Sequence, residues 1–305
     1  MLNVGMQKST HCRLIKIRYL CFECRARKKS PDEKDSVNRY SLAEQREDFF
    51  VGVRRSSRML EVKAVSKKYG DRSALAPVSF QLGPGIHGLL GPSGAGKSTL
   101  LDILACLIQP SSGFFTFLGK RPEEDAERYI QELGYLPQHF SCCENFTGRQ
   151  MLAYFAFLKG LKMDTAQWEQ MESLIEKLGM KEAIDREIRR YSRGMRQCVG
   201  ILQALLGDPH LLILDEPTAG LDPKQKRLFR EQMEDWRKDR IVLLSAQSLS
   251  EEMESANHVI LLKEGRVAQE LEADGDLEAV YRETFGESPC AGTEIKIGNW
   301  KRPED

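Results

Sequence analysis

No hydrophobic run in this sequence reaches the ~18–20 residues that a membrane-spanning helix needs. The longest candidates, such as residues 151–158, are short and flanked by charge or glycine. By itself the chain is expected to be soluble. There is no excess of charge of either sign, with 45 Lys+Arg against 45 Asp+Glu, so no global field points to nucleic acid. A metal framework is missing too. Cys21 and Cys24, with His11 and Cys12 upstream, lack the second pair that a zinc finger or ribbon requires. The eight cysteines are irregularly spaced, and Cys106 and Cys198 fall inside apolar patterns, which reads as reduced thiols in a cytosolic setting rather than a disulfide framework. A signal peptide fits poorly, because Lys16 and Arg18 interrupt the early apolar stretch and no small-residue cleavage site follows.

What is present is unevenly distributed. Residues 1–58 carry 14 basic and 7 acidic side chains, leaving 31 basic and 38 acidic in the rest. They show no sustained period, and a clean strand pattern begins only at Met59, with Arg54-Arg55 just upstream. If those two arginines are encoded AGG-AGG, they form a ribosome-binding site for a start at Met59. Residues 1–58 are therefore expected to be upstream sequence translated in error, or a disordered extension, with no part in catalysis. From 59 to about 275 the chain reads as one large α/β domain, and 276–305 as a polar tail containing a short helix.

That domain is organised around Gly91-Pro92-Ser93-Gly94-Ala95-Gly96-Lys97-Ser98-Thr99, which fits the phosphate-loop pattern G-x-x-x-x-G-K-[ST]. The flanks supply the context the pattern needs. Ile86, Gly88, Leu89 and Leu90 read as a strand entering the loop, and Leu100, Leu101, Ile103, Leu104, Leu107 and Ile108 read as the buried face of a helix leaving it. Glycines let backbone N–H groups converge on phosphate oxygens, and the helix N-terminus adds unpaired donors and the positive end of its dipole. Lys97 is expected to reach the outer phosphates and Ser98 to ligate magnesium.

Upstream, Leu60, Val62, Ala64 and Val65 suggest a strand paired antiparallel with Val78–Leu82, and Tyr69 in the turn between them is either a platform for a purine ring or an ordinary surface aromatic. Phe114, Phe115, Phe117 and Leu118 form an aromatic strand that belongs to the core. After Leu133–Leu136 and Gln138 the pattern turns helical to about Leu178, an insertion between strand-rich parts. Beyond it Ser192 is placed to N-cap another helix, carrying Gly194, Val199, Ile201, Leu202 and Leu205. Leu211–Leu214 is an apolar strand ending in Asp215 and Glu216. Carboxylates at that end of a buried parallel strand face the ligand crevice, so Asp215 is expected to hold magnesium through water and Glu216 to polarise the attacking water. Ile241–Leu244 is a further buried strand, and Val259–Leu262 with Glu264-Gly265 and Arg266-Val267 reads as a closing hairpin.

These motifs stand in one order, and from Met59 to about Glu270 they resemble the ATP-binding subunit of ATP-binding-cassette (ABC) transporters. Gly91–Thr99 is similar to the phosphate loop, Tyr69 to the aromatic A-loop, Gln138 to the Q-loop, Tyr191–Gln197 to the signature, residues 211–216 to the second nucleotide motif, and Ala219-Gly220-Leu221-Asp222 to the D-loop. The resemblance implies an α/β cassette of the P-loop NTPase type, with a mixed sheet core, an antiparallel β subdomain and an α-helical subdomain at about 138–200. It implies ATP and Mg2+, the metal held by Ser98, Gln138 and Asp215, with Glu216, Lys97, Gln138 and Gln247 in catalysis. Ser192 and Gly194 would act in trans on ATP held by a second cassette, Asp222 at the facing D-loop. The implied partners are that second cassette, a homodimer mate or related chain, and a multi-span permease, with the chain peripheral on the cytoplasmic face of the membrane.

Three departures stand out. The signature reads Tyr-Ser-Arg-Gly-Met rather than Leu-Ser-Gly-Gly-Gln, which resembles the exporter branch with a separate permease. Cys198 stands where arginine is common. Ala246-Gln247 replaces the usual Thr-His, so ATP binding is expected intact and hydrolysis slowed, because glutamine donates a hydrogen bond but does not titrate. A regulatory cassette with weak turnover is the alternative. A nucleic-acid-remodelling ATPase is not expected, since the 53 residues between Gln138 and Ser192 leave no room for a long arm.

Overall fold

A computed structural model describes residues 59–250, 253, 255–272 and 276–286. The extension at 1–58, with its cysteine and mistranslation readings, lies outside the described residues, as does the end of the tail.

The chain opens with two long strands, β1 (Leu60–Tyr69) and β2 (Arg72–Leu82), paired antiparallel. The simple alternation expected through Ala64 breaks there. Ala64 takes φ 49° at a register shift, and this bulge lets both Val62 and Val65 face the core while Ala64 is exposed. β2 begins six residues before the expected Val78, because Arg72 already pairs with Tyr69 across the turn. Next come β3 (Gly85–Leu90) and the helix after the phosphate loop, α1 (Lys97–Leu104). The apolar spacing carries this helix to Ile108, but it stops at Leu104. Cys106 turns to φ 58°, the amides of Leu107 and Ile108 both bond to Asp102 O, and Pro110 forbids continuation. β4 (Ser112–Phe117) returns to β1, burying Phe115 and Phe117 and leaving Phe114 under the Arg121 guanidinium at 3.8 Å.

From there the order is α2 (Ala126–Glu132), β5 (Leu133–Leu136), α3 (Gly148–Lys159), α4 (Thr165–Lys177), α5 (Arg193–Ala204), β6 (Leu211–Leu214), α6 (Pro223–Trp236), β7 (Ile241–Ala246), the hairpin β8 (His258–Lys263) and β9 (Arg266–Glu272), and α7 (Leu277–Phe285). The strands form a three-stranded sheet, β2-β1-β4, and a six-stranded one, β5-β6-β7-β3-β8-β9. In the larger sheet β5, β6, β7, β3 and β8 run parallel and only β9 is antiparallel. Strands β3, β5 and β6 are buried at every position, the condition under which a strand reads as an unbroken apolar run.

Two apolar clusters account for the layering. One packs Leu60, Val62, Phe80, Phe115 and Phe117 of the smaller sheet, with Leu100, Leu101 and Leu104 of α1, onto Leu89, Ile213 and Leu243 of the larger. The other joins Ile86, Leu212 and Leu244 to Met151, Leu152, Ile175, Leu202, Phe229 and Trp236 of the helices. α7 belongs to this second core through Tyr281, which is 5% exposed. The C-terminal ends of β3, β6 and β7 lie side by side, and the loops leaving them build the site.

Candidate functional site

The glycine loop delivers backbone amides and one amine to a single place. Gly94 and Gly96 take φ 81° and 102°, the left-handed backbone that wraps the loop around the start of α1. The Lys97 amine is buried, donating to Gly91 O at 2.6 Å and Pro92 O at 3.1 Å. Burial pushes its pKa below the ordinary lysine value, opposed by the charges of Glu216 and Asp215. The amine is held against two carbonyls that an anion can replace.

At the end of β6, Asp215 is 1% exposed. It accepts from the hydroxyls of Ser245, on β7, and Ser98, on α1. Burial raises the Asp215 pKa, and those two hydrogen bonds pull it back down. Hydroxyl and carboxylate oxygens therefore adjoin at the mouth of the loop, the hard-donor chemistry that magnesium takes. Ser245 was missed from sequence; its signal is a polar residue ending a buried apolar strand beside the acids. Its hydroxyl also accepts from the Glu216 amide at 2.9 Å, holding Glu216 at φ 51°, a backbone that costs a residue with a Cβ about 1–2 kcal/mol. Behind this, Tyr135 donates to Asp102 at 2.9 Å, and burial raises the Asp102 pKa.

In front, the Glu216 carboxylate is clasped by both glutamines. Gln138 Nε2 donates to its Oε1 at 3.2 Å and Gln247 Nε2 to the same oxygen at 2.6 Å. The Gln247 backbone carbonyl accepts from the Tyr281 hydroxyl of α7 at 3.4 Å. Tyr69 stands 51% exposed with Lys67 over its ring at 5.1 Å. An open cleft of about 670 Å³ connects these groups, bringing together Tyr69, Ser93, Gly94, Gly96, Lys97, Ser98, Thr99, Gln138, Glu216 and Gln247. Arg72 and Glu264 also border it; neither is expected at a site from the sequence, where Glu264 reads only with Gly265 as the turn of the closing hairpin.

Gly91, Pro92, Ala95 and Asp215 stand behind that cleft rather than in its lining. Ser192, Gly194 and Asp222 do not line it either. Ser192 caps α5, accepting from Met195 N at 3.1 Å. Gly194 has no room for a side chain, since a Cβ would sit 2.9 Å from Gly220 O and 2.2 Å from Gln225 Oε1. Asp222 is engaged locally, in a capping box with Gln225 at the start of α6.

Residues 75–219 match the family described as ABC transporter. A Bacillus subtilis (strain 168) protein, the uncharacterized ABC transporter ATP-binding protein YdbJ, is 33% identical over 220 residues, covering 71% of this chain and 70% of its own. The lantibiotic transport ATP-binding protein SrtF of Streptococcus pyogenes is 32% identical over 227 residues, covering 73% of this chain and 96% of its own. A solved structure titled as the ATP binding subunit of an ABC transporter superposes with a TM-score of 0.65 at 28% identity, over 76% of this chain and 95% of that one. A strand, glycine loop and helix leading into a cleft bordered by Glu216, with Asp215 buried behind it, define a P-loop nucleotide-binding protein. This chain belongs to the ABC transporter family, as one of its ATP-binding subunits.

Proposed function

We propose that this chain binds and hydrolyses ATP to power export through a separate membrane permease, to which it docks on the cytoplasmic face, and that it works as one of two facing cassettes. What carries the reading is the cleft in which the phosphate loop, Tyr69, Glu216 and the two glutamines converge. In it Lys97 and the amides from Ser93 to Thr99 hold the phosphates, and Tyr69 stacks the base. Glu216 orients the attacking water and accepts its proton, with Gln138 and Gln247 steadying the carboxylate. When bound, Mg2+ would be held by Ser98, Asp215 and Gln138, and it supplies charge neutralisation at the outer phosphate oxygens. Ser192 and Gly194 of the facing cassette close on the terminal phosphate, beside Asp222 of its D-loop.

The test is calorimetric titration of ATP. Lys97→Ala is expected to weaken binding by about 100-fold, since it removes charge-assisted bonds worth about 3 kcal/mol together; undiminished affinity would end the proposal. Co-purification with a multi-span membrane protein from the native host tests the permease, and isolation of the cassette alone from detergent extracts would count against it. A second reading, a regulatory cassette with weak turnover, draws on the short Gln247–Glu216 bond alone.

A further inference from the structure

The β8–β9 hairpin closes in two residues, Glu264 and Gly265, at φ 50° and 75°. Two positive φ values in a two-residue loop belong to the type I′ turn, which favours Asn, Asp and Gly at its first position and not Glu. Glu264 therefore holds a left-handed backbone that its own Cβ disfavours. The side chain is exposed and, among the described residues, has no hydrogen bond or ion pair.

The turn is nevertheless pinned. Gly265 N donates to Ala95 O in the phosphate loop at 2.9 Å, and Gly265 O accepts from Ala76 N of β2 at 2.7 Å. A Cβ on Gly265 would lie 2.8 Å from Ala74 O, and one on Gly96 would meet both Ala74 O, at 2.8 Å, and Gly265 Cα, at 3.4 Å. The hairpin tip is thus wedged between the phosphate loop and the strand leading away from Tyr69, and Glu264 lines the same cleft as both.

A carboxylate can only accept hydrogen bonds, and it repels phosphate. The Lys97 amine and backbone amides at the phosphate end of the cleft would be taken up by a bound nucleotide's phosphates, which offer Glu264 only negative charge and no donor. The donors on ATP are its ribose hydroxyls and its 6-amino group, both on the nucleoside half that Tyr69 is positioned to stack. We propose that Glu264 is a specificity-determining residue, its carboxylate accepting a hydrogen bond from one of those donors. This rests on the nucleotide reading above and adds to it a reason for a strained acid at the hairpin tip.

The test titrates the full chain with ADP, 2′-deoxy-ADP, 3′-deoxy-ADP and inosine diphosphate, in the parent and in Glu264→Ala, which keeps a Cβ at the same φ. Glu264→Ala is expected to weaken ADP about 10-fold, the low end for a bond to a charged group. The analogue lacking the contacted donor should bind the parent about 10-fold more weakly than ADP and lose nothing further in the variant. The deoxy-sugars identify a ribose contact and inosine an amino contact. Equal weakening of all four nucleotides, or of none, overturns the proposal. Lys97→Ala run alongside separates the two failures, because retained binding there sinks the nucleotide reading itself. Glu264→Asn, a residue the turn prefers, should raise Tm by about 2–4 °C while losing the same discrimination; an unchanged or lower Tm removes the premise of strain.

Discussion

Gln247, where the resemblance leads one to expect histidine, is the position at which the proposed hydrolysis is tested most directly. Its amide donates to Glu216 Oε1 at 2.6 Å, and Gln138 donates to the same oxygen at 3.2 Å. A hydrogen bond to a carboxylate is worth about 1.5–3 kcal/mol, and Gln247 is exposed, so the lower end applies. Any contact from this amide to the terminal phosphate must compete with that bond, which corresponds to about 10-fold in rate at 1.4 kcal/mol. A histidine here would supply two ring nitrogens and a proton that titrates near pH ~6.5. Gln247→His is therefore expected to raise kcat about 10-fold with KM changed less than about 2-fold, the signature of an interaction made in the transition state. The gain should be largest below pH ~6.5 and shrink above it as the imidazole loses its charge. Gln247→Ala should lower kcat about 10-fold by freeing the Glu216 carboxylate. Phosphate release under saturating ATP, followed across pH, measures all three proteins. A histidine variant no faster than the parent at any pH would refute the claim that this position limits hydrolysis.

Two further outcomes follow from the core. Burial pushes the His87 pKa down to about 4 from 6.5, so the folded state holds this imidazole neutral while the unfolded chain protonates it. Its contribution is complete above pH 6.5 and is lost as pH falls toward 4, by about 3 kcal/mol at most; His87→Gln should flatten the urea midpoint across that window, and an unchanged slope would show that His87 is not responsible. Phe229 is fully buried, 5.7 Å from the Trp236 ring between the larger sheet and the helices. Phe229→Ala should cost about 3–5 kcal/mol and lower Tm by about 10 °C in a thermal melt, and a loss under about 3 °C would mean the cavity collapses.

The sheet was legible because its strands obey one simple rule. Ile86–Leu90, Leu211–Leu214 and Ile241–Leu244 are buried on both faces and therefore read as unbroken apolar runs. The glycine loop was legible because its residue types are dictated by converging amides. What resisted reading were local departures whose cause lies elsewhere in the chain. The β1 bulge at Ala64 serves a register with β2 and β4, and the early end of α1 answers to Cys106 and Pro110. Ser245, Tyr281 and Glu264 reach the site from β7, α7 and a hairpin tip, and only the folded topology reveals that those segments meet the acids of β6 and the phosphate loop. Of the six non-glycine residues at positive φ among the described residues, Glu216 and Glu264 line the cleft, while Ala64, Cys106, Leu118 and Asp208 serve turns and bulges away from it.

The two helix N-termini associated with the remaining motifs differ in a way that bears on assembly. α6 begins with a complete capping box, Asp222 and Gln225 satisfying each other's amides, and its terminus needs nothing more. α5 begins with Ser192 bonding one amide, no acid in its first turn, and Arg193 adding positive charge where the dipole already disfavours it, while Arg196 pairs with Glu144 at 3.7 Å. Such an end is suited to an anion from outside, yet Ser192 does not border this chain's own phosphate cleft. A phosphate arriving there would belong to another copy. If so, Ser192→Asp, which keeps the cap but repels phosphate, and Lys97→Ala should each be inactive alone. Mixed in equal amounts, half of all pairs combine the two variants, and each such pair has one intact composite site. ATPase activity should therefore recover to about one quarter of the parent's, as two-fold pairing requires. Retained activity in Ser192→Asp alone, or a mixture as inactive as its components, would refute the facing arrangement.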